Sequence, residues 1–352
     1  MKSNKNKVLF ILKRNENYGA EQYSHVGLST GLYNSALFMN EMLNKDHIES
    51  KMVIVTDNND IDREVTDFKP SYVIIEALWV VPSKFNILIK LHPNVKWIVR
   101  LHSEVPFLAN EGMAMDWLGN YSKYGNVFVA CNSPQTTKDI QFYLGHRNDW
   151  NKKLQKERVI FLPNFYPQEY KSKKLDKSKD TIDIACFGAV RPLKNHLIQA
   201  IAAVGLADKI NKKLNFHINF RLEQKGEPIF NNLVALFEQL KNKGHKLVIH
   251  KWASREEFLE LCSKMDMGMQ VSFNETFNIV GADMVSQGIP LVASPEIPWS
   301  SHWFTARQTN TNDIFDTLLN TYNYPRINVY VNQCLLKSYT KKSNKIWRNY
   351  LK

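Results

Sequence analysis

Residues 185–194 read ACFGAVRPLK, and the architecture follows from how this stretch is parsed. The apolar run 182–187 stops at Gly188, and Arg191 and Lys194 stand three apart where an amphipathic stretch begins. Glycine lets a backbone approach a ligand closely, a helix N-terminus favours anions, and an arginine with a lysine can grip a diphosphate. Strand, glycine turn and helix in that order make half of a parallel βαβ unit. Taken alone, the same ten residues also read as a plain turn with two solvated cations.

The pattern repeats outward in both directions. Before it, apolar runs predict strands over 7–12, 51–56, 71–77, 95–102, 126–131 and 158–162, with helices over 32–44, 61–68, 83–91, 110–124 and 134–144. The stretch 171–180, KSKKLDKSKD, interrupts this with charge and a single aliphatic residue, as a linker does. Beyond it the alternation restarts. Strands are predicted over 182–187, 215–220, 246–251, 267–272 and 290–293, and helices over 194–210, 228–243, 254–265 and 277–287. The expected organisation is therefore α/β with two Rossmann-like, doubly wound domains. They span 1–170 and 181–326, joined by the linker, and a basic helical tail covers 327–352.

Composition agrees. A chain of 352 residues is about twice the usual domain size, and 44% hydrophobic residues exclude a disordered or fibrous chain. The net charge of +12 permits a polyanionic partner, although a Lys- and Asn-rich composition supplies part of it. Residues 1–165 carry 20 Lys and Arg against 17 Asp and Glu (+3); residues 166–352 carry 26 against 17 (+9). Cys131, Cys186, Cys262 and Cys334 are too far apart for a zinc or CxxC pattern, which points to a reducing, cytoplasmic setting. The first apolar run is stopped by Lys13 and Arg14, too soon for a signal sequence, and no run is long enough to span a membrane.

A second segment carries chemistry. Residues 273–283 read FNETFNIVGAD, running on to Gly288 and Pro290. Glu275 lies in a loop after a strand, Asp283 about two turns into the next helix, and the amides of Phe277, Asn278 and Ile279 would face an anion. Alone, Glu275 could be an N-terminal helix charge and Asp283 a buried cap partner.

Together these segments resemble the donor half of GT-B glycosyltransferases, in particular the large retaining family 4. Gly188, Arg191 and Lys194 match its G-x-x-R-x-x-K turn, and Glu275, Phe277, Asp283, Gly288 and Pro290 match its E-x-F, second acid and G-x-P. Asp283 departs from the family's usual Glu. The resemblance implies two Rossmann-like domains facing across a cleft and a nucleotide-diphosphate sugar, a UDP-sugar, as co-substrate. It also implies transfer with retention and no metal or other cofactor. Arg191, Lys194 and the helix amides would neutralise the departing diphosphate, Asp283 would hold the ribose, and Glu275 would contact sugar hydroxyls.

In the first half, Thr30 and Gly31 close a Gly27-Leu28-Ser29-Thr30-Gly31 loop like the family's glycine loop facing the phosphates. His102 ends the fourth strand where relatives keep a histidine facing the sugar, and Pro163-Asn164 is similar to the close of the acceptor domain, with Phe165 replacing a glycine. The layout, including 162–170, resembles phage enzymes that glycosylate hydroxymethylated pyrimidines, which makes DNA the favoured acceptor. A cell-envelope or virion glycan is the alternative, as is a non-catalytic nucleotide-sugar or nucleic-acid binding protein on this fold. Asp60-Ile61-Asp62 has the D-x-D form of a metal site, but the donor motifs already account for phosphate binding. No G-x-G-x-x-G or P-loop pattern is present. Scattered tryptophans, such as Trp79, Trp97 and Trp299, read as core or wall residues.

Overall fold

A computed structural model describes residues 6–14, 30–220 and 226–352. The chain separates into two compact units, residues 1–167 with 340–352, and residues 168–339.

In the first unit the chain runs β1 (Val8–Lys13), α1 (Thr30–Lys45), β2 (Ser50–Val55), α2 (Asp60–Phe68), β3 (Tyr72–Glu76) and α3 (Phe85–Leu91). It continues through β4 (Lys96–Leu101), α4 (Val105–Leu108), α5 (Ala114–Tyr121), β5 (Val127–Cys131), α6 (Pro134–Arg147), α7 (Lys152–Arg158) and β6 (Val159–Phe161). The strands form one parallel sheet in the order β2-β1-β3-β4-β5-β6. Both faces are buried, which explains the unbroken apolar runs. Leu9, Ile11, Val73, Ile75, Trp97 and Val99 pack into the core on one face; Val8, Phe10, Tyr72, Ile74 and Ile98 pack on the other.

The second unit runs β7 (Thr181–Ala185), α8 (His196–Lys209), β8 (Lys213–Asn219), α9 (Gly226–Gln239), β9 (Lys246–His250), α10 (Arg255–Lys264) and β10 (Met267–Gln270). It then adds α11 (Ile279–Ser286), β11 (Leu291–Ala293), α12 (Thr311–Asn323) and the first part of α13 (Pro325–Tyr350). Its parallel sheet has the order β11-β10-β7-β8-β9. Strand order therefore reverses between β7 and β10, and in the first sheet between β1 and β3. Such switch points are where open α/β sheets bind ligands.

Three features differ from the expectation. Residues 171–180 lack regular structure but belong to the second unit, where Lys173 Nζ donates to the carbonyls of Ser263 (2.8 Å) and Met265 (2.6 Å). Helices α4, α7 and α12 were not foreseen; Asn310 caps α12, and its Ile314, Leu318 and Thr321 face inward. The expected helical tail forms as α13, but it divides between the units, with residues 340–352 in the first. Its end packs into the first unit, where Trp347 is fully buried 5.9 Å from the Phe10 ring and donates to the Pro163 carbonyl at 2.8 Å. Among the described residues no helix is long and apolar enough to cross a membrane.

Candidate active site

In the second unit, the turns after β7 and β10 meet at the switch point. Gly188 holds φ at +114°, a left-handed conformation that favours glycine, and its N–H donates to Asn219 Oδ1 at 3.0 Å. The N-terminus of α9 presses on the same turn: a Cβ at Gly226 would lie 1.9 Å from the Val190 carbonyl oxygen, so only glycine fits. Arg191 is extended, Pro192–Lys194 form one 3₁₀ turn, and Asn195 turns left-handed before α8.

Side chains then stitch the two turns together. Asn195 Nδ2 donates to the Val271 carbonyl at 3.0 Å, Gln199 Oε1 accepts from Val271 N at 2.8 Å, and Phe273 N donates to the Leu193 carbonyl at 2.9 Å. The result brings Lys194 Nζ to 2.5 Å from Glu275 Oε1, with side-chain exposures of 12% and 8%. Two motifs 81 residues apart in sequence thus converge in one ion pair.

Asn278, Ile279 and Phe277 depart from the expected helix start. Helix α11 begins at Ile279, two residues late, because Asn278 is left-handed (φ 58°) and caps the helix through Oδ1, which accepts from Gly281 N at 2.7 Å. Its Nδ2 donates to Gln270 Oε1 at 2.8 Å. Phe277 is buried against Trp299, whose Nε1 donates to the Phe277 carbonyl at 2.6 Å. Asp283 is buried, and Arg255 Nη1 sits 2.8 Å from its Oδ1. Arg255 was not singled out in the sequence. It opens α10 behind a capping box in which Ser254 and Glu257 bond reciprocally, and this fixes where the arginine starts. His196, the first residue of α8, is fully buried; burial, with Lys194 and Arg191 nearby, pushes its imidazole down to about 3.

In the first unit His102 follows β4 and belongs to a buried polar network at the carboxyl ends of β3 to β6. Glu76 and Arg100, both wholly buried, are register partners on β3 and β4. Arg100 Nη1 donates to both Glu76 oxygens (3.1 and 3.2 Å), Nε to the Leu162 carbonyl (3.1 Å), and Nη2 to Asn164 Oδ1 (2.5 Å). His102 Nε2 bonds the second Glu76 oxygen. Asn164 Nδ2 donates on to Ser35 Oγ at 3.2 Å, so the Pro163-Asn164 motif serves as a girder of this network. Burial alone would raise the Glu76 carboxyl, but Arg100 and His102 together outweigh it and hold it below the usual range. His102 is lowered, by burial and by Arg100, against an opposing pull from Glu76.

Gly27, Leu28 and Ser29 lie outside the described residues, as does the Thr30 side chain; Gly31 is in the first turn of α1, and its carbonyl accepts from Ser35 Oγ at 2.8 Å. The D-x-D acids are bound locally: Asp60 accepts from Thr56 N at 3.0 Å, and Asp62 meets His92 at 2.7 Å. Among the described residues no three His, Cys, Asp or Glu gather as a metal site.

No protein-family model matches the sequence, and no curated protein does. Solved structures match in fold. An α,α-trehalose-phosphate synthase (UDP-forming) from Burkholderia vietnamiensis is 8% identical over 98% of this chain and 96% of its own, with a TM-score of 0.67. A trehalose-6-phosphate synthase studied for glycosyl transfer with retention is 10% identical over 97% and 98%, also at 0.67. S. aureus TarM, solved with fondaparinux, α-GlcNAc-glycerol and UDP, is 14% identical at a TM-score of 0.58. That match covers 80% of this chain but only 55% of TarM. The protein has the GT-B fold, two parallel-sheet α/β domains of Rossmann type.

Proposed function

We propose that the protein is a glycosyltransferase that uses a nucleotide-diphosphate sugar. The observation that carries this reading is the convergence of Lys194 and Glu275 at the β7/β10 switch point, beside a left-handed Gly188. Lys194 and Arg191 neutralise the charge that grows on the departing diphosphate, Glu275 takes sugar hydroxyls, and Asp283 with Arg255 meets the ribose. His102 takes a hydroxyl of the sugar substrate. The bond from the anomeric carbon to the diphosphate breaks while the acceptor oxygen bonds on the same face, and its proton passes to the diphosphate. No metal is needed, because these cations take the phosphate charge. A UDP-sugar as donor draws support from the fold relatives described with UDP or as UDP-forming, and retention from the synthase studied for it.

The acceptor we assign is a hydroxymethylated base in DNA, on the +9 charge of residues 166–352. An envelope or virion glycan is the second reading, favoured by the likeness to TarM, which was solved with a GlcNAc-glycerol. The test is thermal stabilisation by a panel of nucleotide sugars, then mass spectrometry of hydroxymethylated DNA and of glycans after incubation. Duplex binding should weaken with salt at a log–log slope of about −3 to −5, as expected for roughly three to six neutralised phosphates. No stabilisation by any nucleotide sugar removes the donor assignment; no duplex binding at low salt removes DNA.

A further inference from the structure

Glu76 has no counterpart among the motifs, yet it is the most enclosed carboxylate of the first unit's network. It ends β3 beside the β1/β3 switch point, with no exposed surface. Arg100 already balances its charge and is itself fixed from several sides, with the Trp347 ring 5.4 Å from its guanidinium carbon. The pair is therefore satisfied as an ion pair without a histidine. His102 is nevertheless bonded to it, and its side chain, 15% exposed, is where the Glu76–Arg100–His102 cluster reaches the surface. The next residue, Ala77, is held left-handed at φ 71°, its N–H bonded to the Arg100 carbonyl at 2.9 Å. A non-glycine residue in that conformation is strained and persists only where the surroundings impose it, most often at functional sites.

We propose that Glu76 is a positioning residue for His102: it accepts from Nε2–H and so fixes the tautomer in which Nδ1 accepts a hydrogen bond from a substrate hydroxyl. This rests on the proposed contact of His102 with the sugar. An ionised carboxylate can only accept, so the ring nitrogen facing it must carry the proton. A second proton on Nδ1 would add a positive charge beside the buried Arg100 guanidinium, and such a charge is costly. The ring is thereby held neutral, with its acceptor nitrogen defined, by the partner behind it. Among the described residues, Glu76 from β3 and Arg100 from β4 act on its charge.

The proton positions are read directly from long-range ¹H–¹⁵N spectra of the full chain labelled at its ten histidines, with His102 assigned by its loss in His102→Gln. The expected result is a protonated Nε2 and a bare Nδ1 at pH 7. In Glu76→Gln, Arg100 claims the amide oxygen and the amide nitrogen donates to Nε2, so the tautomer should invert. Turnover should then fall about tenfold to a hundredfold, the range for losing a partner that orients a ligating histidine, with donor KM within about threefold. The acid limb of its pH–rate profile should move to lower pH, because the carboxylate that raises the imidazole is gone. Glu76→Asp, which keeps the charge, should retain the tautomer and lose less. A proton on Nδ1 in the wild-type protein overturns the proposal, as does Glu76→Gln with unchanged turnover. If Glu76→Gln does not fold, the wild-type spectrum alone decides. If no nucleotide sugar is turned over while Nε2 is protonated, the proposed function fails and the substrate contact of Nδ1 falls with it, whereas a proton on Nδ1 in an active enzyme overturns the positioning role alone.

Discussion

The Glu76–Arg100 pair of the first unit and the Lys194–Glu275 pair of the second both sit at carboxyl ends of parallel strands, largely shielded from water. They are built in opposite ways. Arg100 spends its guanidinium on a carboxylate, a carbonyl and an amide, so no part of the pair can turn without stranding a charge. The Lys194 ammonium and the Glu275 carboxylate have only each other among the described residues. An ammonium has three donors, so Lys194 can pass to phosphate oxygens, releasing Glu275 to hydroxyl groups. One unit holds a many-sided frame and the other a single ion pair, which the proposed function would open for a ligand.

The contrast is broken most sharply from the rigid side. Arg100→Leu strands the Glu76 charge in the interior and should cost about 3–5 kcal/mol of stability, read as a lowered urea midpoint. Adding Glu76→Leu should recover most of that, because replacing a buried pair by apolar residues is close to neutral. A loss below about 1 kcal/mol for the single variant would mean that water or a protonated His102 takes up the Glu76 charge, and that Arg100 is not what fixes the frame.

From the exchanging side the large effect should fall on rate instead. Under the proposed donor assignment, Lys194→Ala and Arg191→Ala each remove a contact that strengthens as the diphosphate leaves, so turnover should drop by two to three orders of magnitude, about 3–4 kcal/mol in the barrier. Steady-state rates within about threefold of wild type would sink the assignment.

The same contrast governs what the sequence reveals. Each motif of the second site is local: Gly188, Arg191 and Lys194 span seven residues, and Glu275 to Asp283 span nine, so their spacing is visible along the chain. The strands were equally plain, because a sheet buried on both faces needs continuous apolar runs. The first unit's network is non-local. Glu76 stands 26 residues before His102, Asn164 stands 129 after Ser35, and a lone acid at a strand end looks like any strand terminus. Arg255 escaped for the same reason, 28 residues from Asp283 on a different helix. The docked end of α13 did leave a signal: Thr340, Ser343, Trp347 and Leu351 recur at helical spacing and are all buried, although the lysines between them drew the eye.

The smallest effect sharpens the electrostatic side of the comparison through His196. Burial is the main cause, and the charges of Lys194 and Arg191 add to it, so this imidazole is pushed down to about 3 from its ordinary 6.5. The folded value is depressed, so between pH 6.5 and 3 the unfolded chain takes up a proton that the folded chain refuses. Stability from this group is therefore full above about pH 7 and is lost progressively as pH falls. At pH 5 the difference in proton uptake amounts to about 2 kcal/mol. His196→Leu removes the group, so urea titrations at pH 7.5 and pH 5 should show the wild type losing about 2 kcal/mol more than the variant. Lys194→Ala should narrow the gap in part, since Lys194 is among the charges that hold the imidazole down, while Arg100→Leu, in the other unit, should leave it unchanged. Parallel losses in wild type and His196→Leu would show that the folded chain protonates His196 as readily as the unfolded one, so that neither burial nor the neighbouring Lys194 and Arg191 holds the imidazole down.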